Sequence, residues 1–286
     1  MVRRLAIFTL VATCVVGAQI SAGQKASRTV PKRITALSLE EVAWDVMHGV
    51  VAVVIPEKNR TDAQLGVPVG TAFFVSDEYV ATNAHVIREA ESQSGNGAWA
   101  LRASYFDTKI HRIVGYQVLR AELVDINDSE DVALLKLKDR PDQPVRPFVL
   151  ALGFPTMGTP LAFAGFGLLV DHPLLLTAFM ASQGTEHFAI GLDPNHPISK
   201  LLRETLRTST VWVIDRSIPG GFSGSPVFLR TDGVVYGICS GSTGDVLGGV
   251  GFVHSLQALS KMLTARSISF KTAAPQEEYF PVQKTK

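Results

Sequence analysis

The sequence predicts an all-β chain: two antiparallel barrels or sandwiches in succession, followed by a C-terminal helix. Three observations carry this expectation. Short runs rich in β-branched and aromatic residues recur from residue 50 to residue 254, they fall into two batches, and the proline-bearing stretch KDRPDQPVRPF at 138–148 separates the batches.

The elements follow in order. SLEEVAWDVMHG begins with Ser38 and carries Glu41 three positions later, the pattern of a capping box, so a short helix is expected before the first strand. VVAVVI, GTAFFV, EYVATN, ALRASY, HRIVGYQV, AELVDI and DVALLKL then form the first batch of strands. PLAFAGFG, LLLTAFMAS, TVWVIDR, SPVFL, GVVYGICS and GVGFVH form the second. Helical spacing of apolar residues marks PISKLLRETLR at 197–207, inside an insertion at 183–208, and SLQALSKMLTAR at 255–266. The expected organisation is a leader at 1–22, a mobile stretch and short helix at 23–45, a first barrel at 46–145, a second barrel with its helix at 146–266, and a polar tail at 267–286.

With 286 residues and 46% apolar composition, the chain has the means to bury a sizeable core. Its 27 basic and 26 acidic side chains leave a net charge of +1 with no long run of either sign, which offers nothing to a nucleic acid. No histidine or cysteine cluster has ligand spacing, so neither a metal nor another cofactor is expected. Arg3 and Arg4 precede an apolar run from Leu5 to Ala18 with small residues after it. That is the layout of a secretory signal peptide, too short for a membrane span, and it implies export to the periplasm or beyond with no stable membrane insertion once removed. Removal also takes Cys14, leaving Cys239 alone in a strand, where packing is a better reading than thiol chemistry.

The stretch GGFSGSPVF at 220–228 sets Ser223 in a glycine-rich turn. A serine hydroxyl is a poor nucleophile unless a nearby base takes its proton and a third group orients that base. Five of the seven histidines, His48, His111, His172, His187 and His196, lie in stretches that read as surface or loop. His85 differs: VATNAHVI places it after a strand, among small residues that let another segment approach. Asp131 stands at the mouth of the apolar strand in DSEDVALLKL, where partial desolvation calls for a partner, whereas Asp128 and Glu130 read as solvated turn residues. A rival order, Ser223, Asp245, His254, would suit an α/β-hydrolase esterase. Ser225 breaks the G-x-S-x-G elbow of that class, and the required strand–helix alternation is missing.

TNAHV, DVALLKL and GFSGSP, in that order, are similar to the histidine, aspartate and serine motifs of trypsin-like serine proteases, and the chain most resembles the bacterial Do/HtrA type from about residue 46 to about residue 265. The resemblance implies two six-stranded barrels with the active site between them, and protein or peptide substrates. It implies Ser223 as nucleophile, its hydroxyl within reach of His85 as general base, and Asp131 orienting His85. Gly221 and Ser223 would donate backbone N–H groups to the oxyanion, Ser240 would support Asp131, and Ser217 and Ser242 would lie along the specificity pocket. A small or medium apolar side chain at the cleavage site is the matching expectation.

Two positions depart from the family. Phe222 stands where many relatives carry an aspartate that pairs with a newly cut N-terminus, so activation by that ion pair is not expected, and Ser225 replaces a usual glycine. Only about 20 residues follow the last predicted helix, too few for the PDZ domain usual in the Do/HtrA type. The alternative to an enzyme is a protease-fold binding or scaffolding protein.

Overall fold

Helix α1 (Leu39–Met47) begins as its sequence dictates. Ser38 Oγ accepts the Glu41 N–H at 3.2 Å while the Glu41 carboxylate accepts the Ser38 N–H at 2.8 Å, so two otherwise orphaned donors are satisfied. The computed structural model describes residues 37–56, 66–95, 97–167, 170–182, 210–242 and 249–273, all within one compact unit, Ala36–Lys286. The leader, the insertion at 183–208 with its predicted helix, Asp245 and the tail from residue 274 lie outside the described residues.

The first sheet comprises β1 (Val50–Ile55), β2 (Val67–Phe74), β3 (Tyr79–Thr82), β4 (Ala100–Asp107), β5 (Arg112–Leu119), β6 (Ala121–Asn127) and β7 (Val132–Leu137), in the spatial order β5-β4-β1-β2-β3-β7-β6. Its two ends are neighbours in the chain, because only Arg120 separates β5 from β6. The pair is therefore one strand bent at Arg120, and the sheet closes into a six-stranded barrel through it. The bend has a cause: the Arg120 N–H leaves the ladder for Asp139 Oδ2 at 2.7 Å, and the Arg120 guanidinium clasps both oxygens of the same carboxylate. These bonds hold Asp139 down to about 2.

The second sheet comprises β8 (Val149–Leu150), β9 (Pro160–Gly165), β10 (Leu174–Ser182), β11 (Val211–Ile214), β12 (Pro226–Leu229), β13 (Val235–Ser242), β14 (Gly251–Ser255) and β15 (Lys271–Thr272). Six of these run β12-β9-β10-β11-β14-β13, and β13 pairs back with β12, closing an antiparallel barrel. Helix α3 (Gln257–Ala265) follows, as its leucine spacing predicts, and buries Leu259, Met262 and Leu263. The polar tail expected from residue 267 is corrected at one point: Lys271 and Thr272 pair in parallel with β8, and the Ala273 N–H reaches Leu150 O at 3.0 Å. Two exposed polar residues on a sheet edge leave no hydrophobic signature to read.

Alternate residues of the same strands face different cores. Val51, Val53, Phe74, Leu101 and Leu135 fill the first barrel, and Phe163, Trp212, Ile214, Val227 and Val253 fill the second. Phe73, Val132, Leu134, Phe166, Phe228 and Ile238 belong to a third cluster that joins the barrels and seats α1 and α3. Burial on both faces explains why these strands read as nearly continuous apolar runs. Each large side chain so buried stabilises the fold by about 1.5–3 kcal/mol.

Candidate active site

Helix α2 (Ala84–Gln93) starts one residue after β3, so His85, placed after a strand by its sequence, is the second residue of a helix. Asn83 occupies the cap position, yet its side chain makes no capping bond; its amide donates to Asp131 O at 2.9 Å. The capping role passes to Asp131, whose Oδ1 accepts the His85 N–H at 3.0 Å. A carboxylate at a helix N-terminus is favoured by both the free N–H groups and the helix dipole.

The same carboxylate holds the imidazole. His85 Nδ1 lies 2.9 Å from Asp131 Oδ2 and 3.0 Å from Oδ1, and Ser240 Oγ donates to Oδ2 at 2.8 Å. With Nδ1 occupied as a donor, Nε2 of a neutral His85 is left as the acceptor, the tautomer that a general base requires. Burial pushes the Asp131 carboxyl up, but its hydrogen bond with Nδ1 and the His85 charge outweigh burial and leave it below its ordinary value. Asp131 adopts a left-handed backbone with φ of 48°, rare for a residue with a side chain, and the Asn83 bond to its carbonyl helps hold it there.

The serine loop is fastened by the other barrel. Thr71 of β2 donates its N–H to Ser223 O at 2.8 Å and its hydroxyl to Gly221 O at 3.0 Å, and its Oγ1 accepts the Phe166 N–H at 2.9 Å. Gly221 and Gly224 both take φ of 88°. A Cβ on Gly221 would fall 2.4 Å from Phe166 O, and one on Gly224 only 1.9 Å from Thr71 O. The Phe222 N–H turns back to Pro219 O at 3.2 Å, while the N–H groups of Gly221 and Ser223 on either side have no acceptor among the described residues. Two unengaged amides flanking one engaged amide are donors left free to receive an anionic oxygen.

Phe222 itself is fully buried, its ring edge-on to Phe163 at 5.4 Å and 82°. It lies across Gly165 and Gly167, where added Cβ atoms would meet the ring at 3.2 and 2.2 Å. Ser225 is likewise buried, packed over Gly165.

Ser223 differs from expectation in its orientation. Its hydroxyl donates to Ser240 O at 2.8 Å, and among the described residues no hydrogen bond joins it to His85. Ser217, Ile218, Ser242 and Gly249 come together beside the loop: Ser242 Oγ donates to Ile218 O at 3.3 Å, and a Cβ on Gly249 would stand 2.9 Å from Ser217 Oγ. Asp215 is exposed and closes the β10–β11 edge by accepting the Phe179 N–H at 2.7 Å.

Three expectations on individual residues are corrected. His48 is half-buried, with Nδ1 2.8 Å from Trp44 O and its ring against Trp44 and Phe106, because it ends α1 rather than lying in a loop. Glu130 is not merely solvated: its Oε2 accepts the Thr210 N–H at 3.4 Å from across the barrel interface. His254, read only as an esterase base, is a buried residue of β14, with Nε2 3.6 Å from Asp131 Oδ2. Thr71, Asn83 and His254 carry no local signal of a role in the site, since each reads as an ordinary strand or turn residue. Cys239 is fully buried, and burial pushes its thiol well up, in keeping with packing.

The profile of the family described as "Trypsin-like peptidase domain" matches residues 70–238. Among solved structures, the Rv3671c protease of M. tuberculosis in its active form superimposes with a TM-score of 0.53 at 20% identity, over 81% of this chain and 86% of that one. A serine endoprotease from Yersinia pestis gives 0.54 at 19% identity, over 81% and 67%. The MamO protease domain from Magnetospirillum magneticum gives 0.53 at 17% identity, over 77% and 97%. At these identities the likeness speaks to the fold. A search of curated proteins finds no match. The profile spans more than half of the chain and takes in His85, Asp131 and Ser223, so this chain belongs to the trypsin-like peptidase domain family.

Proposed function

We propose that the chain is an exported serine endopeptidase that hydrolyses peptide bonds through an acyl-enzyme on Ser223. The observation that carries this reading is the pairing of an Asp131-held imidazole with two unengaged amides around Ser223. In the reaction Ser223 Oγ leaves Ser240 O by rotating about its Cα–Cβ bond and gives its proton to His85 Nε2 as it attacks the scissile carbonyl carbon. The Gly221 and Ser223 N–H groups receive the oxyanion, each donor being worth about 3 kcal/mol in related enzymes. His85 then passes the proton to the leaving amine, and water repeats the sequence to free the acid. Asp131 stays ionised and balances the charge on His85. Ser217, Ser240 and Ser242 line the specificity side, and export through the leader at 1–22 completes the reading.

The alternative, a protease-fold binding protein, draws support from the Ser223 hydroxyl resting on Ser240 O. Labelling with a fluorophosphonate separates the two: the native chain reacts and Ser223→Ala does not. A folded native chain that never labels favours the binding protein. Mass analysis of the chain recovered from the exported fraction tests the leader, with loss of residues up to Ala18 or Ala22 expected.

A further inference from the structure

His254 has no place in the chemistry above, yet it occupies an expensive position. It is 2% exposed, and neither ring nitrogen makes a hydrogen bond among the described residues. A buried polar group left without a partner is costly, so a histidine here asks for a reason. Its strand neighbours across the ladder, Val211 and Ile238, are apolar and offer none. The group that does face it is the Asp131 carboxylate, with Nε2 3.6 Å from Oδ2.

Oδ2 already receives His85 Nδ1 and Ser240 Oγ, and His254 Nε2, 3.6 Å from the same oxygen, brings a third polar group to it from the second barrel. We propose that His254 is a positioning residue for the triad carboxylate, sharing Asp131 with His85, and that protonation of either histidine draws that carboxylate away from the other. The inference rests on the triad reading above.

The electrostatics give the direction. The charged groups acting on His254 are Asp131, from the β6–β7 turn, and His85, from the start of α2. Cys239, near it on β13, belongs with Val253 to the core of the second barrel and stays a neutral thiol. Burial lowers the proton affinity of His254, Asp131 raises it, and a charged His85 lowers it again. A neutral His254 leaves the full carboxylate charge to the His85 imidazolium that forms during attack. A protonated His254 neutralises Asp131 and repels that imidazolium, so two protons bind to one coupled system.

Two measurements on the full chain decide the matter. The first follows the ring signals of His254 by NMR through a pH titration and does not depend on activity. Asp131→Asn is expected to move protonation of His254 to lower pH, and His85→Ala to higher pH, each by at least about threefold in proton affinity. A His254 titration that ignores both changes overturns the proposal, and either variant suffices if the other fails to fold.

The second measures the rate constant of fluorophosphonate labelling against pH. The native acid limb is expected to start with one proton and steepen toward two at its acid end, and His254→Gln, which keeps an amide donor, to give a one-proton limb throughout with its plateau within about threefold of native. His254→Phe keeps the bulk without the donor and is expected to lower the plateau as well. Equal plateaus for Gln and Phe with an unchanged limb mean that His254 merely packs, which also overturns the proposal. Absence of labelling in the native chain at every pH is a failure of the protease reading instead, and the NMR titration still decides whether the carboxylate is shared.

Discussion

Thr71 and Gly221 lie 150 positions apart, yet the Thr71 hydroxyl donates to the Gly221 carbonyl at 3.0 Å, tying the first barrel to the serine loop of the second. The same hydroxyl oxygen accepts the Phe166 N–H, and Thr82 Oγ1 donates to the Thr71 carbonyl at 2.6 Å. Thr71→Val keeps the shape and strand preference but leaves a buried N–H and a carbonyl unpaired. A stability loss of about 1–3 kcal/mol is expected from urea denaturation. The fluorophosphonate labelling rate is expected to fall by about fivefold, as a neutral hydrogen bond to the loop is lost.

Phe222 should matter to fold and loop together. Phe222→Ala empties a slot bounded by Phe163, Gly165 and Gly167 and is expected to cost about 3–5 kcal/mol in denaturant unfolding. Phe222→Leu refills most of it and is expected to recover most of that stability and most of the labelling rate. Equal labelling by all three forms would show that the ring has no hold on the neighbouring amides.

Asp131→Asn tests orientation separately from folding. Asparagine tolerates the left-handed backbone at this position, so the thermal midpoint is expected to fall only by the share that the Asp131 charge contributes, the share that acid also removes. The labelling rate at neutral pH is expected to fall by roughly 10⁴-fold, the scale known for this replacement in a serine protease triad, because the amide favours the wrong tautomer of His85.

Acid should destabilise the fold in two stages. The proton affinity of folded His254 lies below its ordinary value of 6.5, so as pH falls below 6.5 the unfolded chain takes up a proton that the native chain refuses, and stability declines. Asp131 is depressed below 3.8, so its contribution is present above that pH and is lost as pH falls through its lower folded value. Urea midpoints across this range should show both declines, and His254→Phe should erase the first and leave a smaller second one, since His85 supplies more of the depression of Asp131 than His254 does.

Strands such as β1, β7, β11 and β14 were legible because burial on both faces makes them apolar runs, and Ser38 with Glu41 announced α1 through a local bond pattern. Ser223, His85 and Asp131 could be singled out because each needs a recognisable setting. What stayed hidden was long-range. AHVIREAESQ follows β3 so closely that its helix was masked by the strand before it, and the bend at Arg120 depends on Asp139, which is distant in sequence. Thr71, Asn83 and His254 earn their roles only from groups that the fold delivers to them. The rotamer of Ser223 follows the Ser240 carbonyl that the fold brings to it, and no residue type encodes it.

The anchoring of Phe222 also bears on timing. A carboxylate at this position would be silent until a cation arrived, which lets a cell postpone the moment of competence. An aromatic ring asks only for the apolar slot formed by Phe163, Gly165 and Gly167, and that slot exists as soon as the second barrel closes. On the protease reading proposed above, the serine loop then takes its shape together with the second barrel and waits for no later ion pair.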